Sequence, residues 1–99
     1  MPPGIWSKLA ARGFEVAELP LARHVVVARE GFAALIERRG DGAGRAGTPG
    51  VVTEKGMAML VWRNGRPFLV ARGLQIEATE YQVEGLRSFA TDLEEALRD

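Results

Sequence analysis

The side chains best placed to do chemistry in this chain are two arginines at a tight turn. Arg63 and Arg66 flank Asn64-Gly65, and Asn-Gly between apolar runs is the strongest short-range signal for a two-residue hairpin. If the turn is tight, Arg63 faces Arg66 directly, an arrangement in which like charges repel. Two forked guanidiniums there, beside Trp62, read as a bidentate seat for phosphate or carboxylate. Arg38, Arg39 and Arg45 lie in or beside a glycine-rich stretch. They would extend the seat into a basic rim if the two loops share one edge, with Trp62 as a stacking surface for single-stranded nucleic acid. The competing reading is of solvated arginines that pair elsewhere, including with the acidic helix of a neighbouring molecule.

The remaining candidates are weaker. His24 is the one side chain that ordinarily titrates near neutrality, and a hairpin turning at Glu30-Gly31 sets it opposite Glu37. That pair is half of a general-base arrangement for a small enzyme, but neither Ser7 nor Ser88 is near it in sequence; a structural cross-strand pair is the simpler reading. Gly42-Ala-Gly44-Arg-Ala-Gly47 has the form G-x-G-x-x-G, yet Thr48-Pro49-Gly50 and a strand follow it where a dinucleotide site needs a helix. Without cysteine there is no thiolate metal site or disulfide framework. Asp92, Glu94, Glu95 and Asp99 spread around a helix instead of converging on a metal. No cofactor or metal is expected.

Charge is distributed unevenly. The chain is neutral overall, with 13 Lys/Arg and 13 Asp/Glu. Residues 1–74 carry eleven bases against six acids, and residues 75–99 carry two against seven, so a body of +5 joins a tail of −5. The longest apolar run, Met57–Trp62, is far too short to span a bilayer. With no signal-peptide pattern at the start, a cytoplasmic protein is expected. Eleven arginines to two lysines, with few Asn and Gln, suit either a thermophile or a GC-rich genome.

The elements that must position these residues are legible from their periods. Ile5–Arg12 predicts a short helix ended by Gly13. Strands are expected at 14–19 (stopped by Pro20), 24–29 and 32–38, then a flexible glycine-rich loop over 39–50 with five glycines in its last eleven residues. A strand at 51–62, broken or bulged near Glu54-Lys55-Gly56, and a return strand at 66–72 complete the sheet. Thr79-Glu-Tyr-Gln82 is a capping box. After it Val83, Leu86, Ala90, Leu93 and Leu97 form one apolar stripe of a helix over 80–98. The prediction is one α+β domain: an antiparallel sheet of about five strands in the order α-β-β-β-β-β-α, with the long amphipathic helix across one face.

One pattern points to association. On the 57–71 hairpin, Met57, Met59, Val61, Phe68 and Val70 share one face, while Ala58, Leu60, Trp62, Leu69 and Ala71 share the other. Both faces are apolar, so both need cover. A single long helix covers one. The second is covered either by coiling of the sheet into a partial barrel or by a second copy of the chain. The leading expectation is therefore a non-enzymatic protein acting through protein–protein association, as a homodimer; a nucleic-acid or phosphate module comes second and an enzyme third.

Overall fold

The computed structural model describes residues 4–18, 23–39 and 42–98. Helix α1 (Ile5–Ala11) leads into strands β1 (Glu15–Glu18), β2 (His24–Arg29), β3 (Phe32–Arg39), β4 (Gly42–Ala46), β5 (Gly50–Thr53), β6 (Gly56–Arg63), β7 (Arg66–Ala71) and β8 (Leu74–Glu77), and helix α2 (Glu80–Arg98) follows. Every strand pair is antiparallel, in the lateral order β1-β2-β3-β5-β6-β7-β8. β4 pairs with the far half of β3, on the edge that β5 also uses. The class is α+β, and the described residues form eight strands where about five were expected.

The extra strands have local causes. The segment 39–50, expected as a loop, turns back and pairs Gly42, Ala43 and Ala46 with Arg39, Arg38 and Ile36. The expected break at 54–56 is a complete hairpin turn. The Thr53 hydroxyl donates to the Gly56 carbonyl at 2.6 Å and accepts the Lys55 N–H at 3.1 Å, while Gly56 takes a φ of 99°. This side-chain turn does not look like a turn dipeptide. β8 follows a further tight turn, with Gly73 at a φ of 73°. Pro20, expected to stop the first strand, lies outside the described residues.

Where turn chemistry was explicit, register followed. Glu30-Gly31 and Asn64-Gly65 have positive φ at both central residues, the type I′ pattern whose twist suits a two-residue hairpin. His24 pairs with Glu37, Val25 with Ile36 and Val27 with Ala34; Arg63 pairs with Arg66, Val61 with Phe68 and Met59 with Val70. The capping box is formed: Thr79 N–H donates to Gln82 Oε1 at 2.9 Å and Gln82 N–H to Thr79 Oγ1 at 3.1 Å.

Both helices pack on one side of the sheet. Leu9 of α1 and Leu86, Phe89, Leu93 and Ala96 of α2 share one buried cluster with Val27, Phe32, Ala34, Ile36, Ala58 and Leu69. Phe89 is fully buried and meets Phe14 edge-on, with ring centroids 5.8 Å apart. The molecule measures 49 × 27 × 19 Å, with a radius of gyration of 14.1 Å against about 13 Å for a compact chain of this length. That is a slab, one layer of helix on one layer of sheet.

Helix α2 comes close to the sheet at Gly85, where a Cβ would lie 2.2 Å from Phe32 Cζ and 2.6 Å from Cε2. Phe32 is 5% exposed and flanked by Phe89 and Tyr81, so a methyl group at Gly85 forces its ring toward the cleft that Phe32 and Gly85 both line. Elsewhere in a helix Gly→Ala gains about 1 kcal/mol. Here Gly85→Ala is expected to destabilise by roughly 1–3 kcal/mol through overpacking, read as a lower urea midpoint.

Candidate functional site: the open face of the sheet

Period-two alternation decides what each strand shows on the side away from the helices. Ala28 and Val26 of β2 stand opposite Ala33 and Leu35 of β3. Gly50 of β5 pairs with Ala33 and with Met59. Met59 and Val61 of β6 face Val70 and Phe68 of β7, which in turn face Gln75 and Glu77 of β8. The five residues expected to form an association surface, Met57, Met59, Val61, Phe68 and Val70, therefore share one side. They continue across Gly50 and Ala33, both themselves buried, into a second apolar patch of Val26, Ala28 and Leu35.

This side has no layer over it. Val26, Leu35, Met57, Met59, Val61, Phe68 and Val70 are only half-buried, and none packs against the core cluster beneath the helices. Val52, on the same side, is 54% exposed. Among the described residues no element lies across them. The sheet is also open at its sides, with β1 and β8 as separate edges.

The middle of the face is shaped by Gly50. A Cβ on it would come within 2.6 Å of the Ala58 carbonyl, 2.7 Å of Met57 Cγ and 3.1 Å of Met59 Sδ. Both methionines thus lie across a trough floored by bare backbone. Methionine is flexible and polarizable, and it is frequent at binding surfaces that must adapt.

A polar rim borders the apolar centre at the end of the sheet where the β3–β4 and β6–β7 turns lie. His24 and Glu37 are paired across β2 and β3, as expected, and both project to the open side. The Glu37 carboxylate, however, is held by Arg39 Nε at 3.2 Å. Arg63 donates to the neutral Gln75 side chain at 3.3 Å, and Arg66 Nε lies 3.5 Å from Glu77 Oε1. The repulsion between the facing arginines is thus eased by β8, a strand absent from the sequence reading.

The proposed arginine–tryptophan seat is not assembled. Trp62 alternates to the helix side of β6, away from Arg63 and Arg66. It is 56% exposed there and lines a cleft of about 250 Å³ with Leu60, Val83 and Arg87. Arg38 lies under α1, its guanidinium 5.8 Å from the Trp6 ring centroid, and Arg45 lines a separate cleft with Glu94 and Arg98. The two basic loops share an end of the sheet, but their arginines divide between its faces.

The other candidate groups lie apart. A wider cleft of about 590 Å³ is lined by Glu30, Glu80, Tyr81, Glu84 and Ser88, and His24 lies on the opposite face at the other end of β2. Among the described residues, no polar or charged side chain is buried and no three His, Cys, Asp or Glu side chains are gathered to hold a metal ion. No described helix is long and apolar enough to cross a membrane.

Fold and face together define a two-layer α+β protein, sealed by helices on one side and apolar and open on the other. No protein-family model, curated protein or solved structure matches the chain.

Gly50 carries a direct test of this geometry. Gly50→Ala drives a methyl group against a fixed carbonyl and displaces both methionines, so a loss of roughly 1–3 kcal/mol is expected. Denaturant unfolding measures it, and the shift should be larger than for Gly42→Ala, where the nearest atom is 3.6 Å away.

Proposed function

We propose that this protein works by association instead of catalysis, and that the open sheet face is where a second copy binds. The observation that carries the reading is the continuous apolar side of the sheet, half-buried and outside the core. Contiguous apolar area of this kind marks interaction surfaces, and an apolar centre with a polar rim is the ordinary anatomy of an interface.

Two quantities favour a second copy as the occupant. The first is area. With strands ~4.8 Å apart and ~3.3 Å per residue, the face has a flat footprint of about 500 Å². That footprint is of the same order as the ~800 Å² per partner of a standard stable interface, and the polar rim adds to it. The second is charge. A formal net charge of zero removes the mutual repulsion that keeps strongly charged proteins apart.

Sedimentation velocity or light scattering tests the proposal. At tens of micromolar the chain should run as a dimer, and Phe68→Glu should weaken association by at least about thirtyfold, the scale of an interface hot spot. The far-ultraviolet circular dichroism of that variant should stay unchanged. A wild-type chain that remains monomeric at these concentrations, at low and high salt alike, removes the reading.

A further inference from the structure

Resting on that association, we infer that the two copies pack face to face about a twofold axis running along β5, with each copy's β2–β3 half seated on the other's β6–β7 half. β5 is the fourth of seven lateral positions in the sheet, so a twofold along it exchanges β3 with β6, β2 with β7 and β1 with β8. Strand directions are kept, as in aligned sheet packing.

That operation sets apolar side chains on apolar ones. In the row through Gly50, Ala28 of one copy meets Val70 of the other, and in the next row Val26 meets Phe68 and Leu35 meets Val61, as in the packing of two sheet faces. On the rim, Glu37 meets Arg63 across the interface. Arg63 suits that role: within its own chain it holds only the neutral Gln75 side chain, so its charge has no carboxylate among the described residues. An axis perpendicular to the strands instead sets each strand of the face against its own counterpart, β3 on β3 and β6 on β6, and loses the pairing of Glu37 with Arg63.

Two measurements test the arrangement. The first is a charge exchange followed by sedimentation equilibrium. Glu37→Arg alone and Arg63→Glu alone should each raise the dimer dissociation constant about tenfold, and the chain carrying both should return to within about threefold of wild type. The second needs no interface variant. A nitroxide on Gln75→Cys, introduced into a chain with no cysteine, should report roughly 30 Å to its copy, from six strand spacings of ~4.8 Å and a sheet separation of ~10 Å. A distance near 10 Å for that label, or charge exchanges that weaken without recovery, overturns the arrangement while leaving association intact. A monomeric wild-type chain overturns both.

Discussion

The approach of Gly85 to Phe32 sets the position of everything else. With no side chain at that helix position, α2 settles onto the sheet and brings Leu86, Phe89 and Leu93 into the buried cluster. The glycine costs about 1 kcal/mol of helix propensity, which close packing of three aromatic rings offsets. Once the long helix is so committed, only the seven residues of α1 remain, and they pack into the same cluster. Among the described residues no helix is left for the other face. Its apolar character therefore follows from the allocation of elements in this chain, not from any single exposed residue.

The opposed charges of body and tail find a specific expression in the same layer. Arg29 of β2 donates to Asp92 of α2 at 2.7 Å while its guanidinium lies 4.8 Å from the Phe14 ring centroid. Partly covered and held over an aromatic face, this pair resists solvent screening better than the exposed pairs Glu84–Arg87 and Glu37–Arg39. It joins the N-terminal segment, the sheet and the helix in one contact. Net neutrality thus partly reflects a basic sheet held against an acidic helix.

Much of this was legible because the sequence states it in local chemistry. Asn64-Gly65, Glu30-Gly31 and Thr79-to-Gln82 each specify backbone geometry within four residues, and the registers and the helix start came out as expected. The two-sided apolar pattern of the 57–71 hairpin announced a face without cover. What could not be read was non-local or disguised. β4 hides in a glycine-rich stretch that carries no strand pattern, and the β5–β6 turn relies on the Thr53 hydroxyl. Gln75 and Glu77 become partners of Arg63 and Arg66 only once β8 is recognised. The grouping of Trp62 with those arginines fails on alternation alone, since residues 62 and 63 of a strand point to opposite sides. The continuous run Val25-Val-Val-Ala28 carried the same two-sided signal for β2 as Met57–Trp62 does for β6.

The meander has a consequence for how the molecule forms. Apart from β3 with β5, every strand pair joins neighbours in sequence across short connections, so the sheet can zip hairpin by hairpin with little loop-closure entropy. The helix that seals it comes after every strand, and its tie from Asp92 to Arg29 spans 63 residues. Sheet formation is therefore fast and local, while completion of the core waits on one late, long-range docking event. Until α2 arrives, the sheet is a sticky ribbon on both sides, and emergence of the last helix becomes the step that separates folding from aggregation.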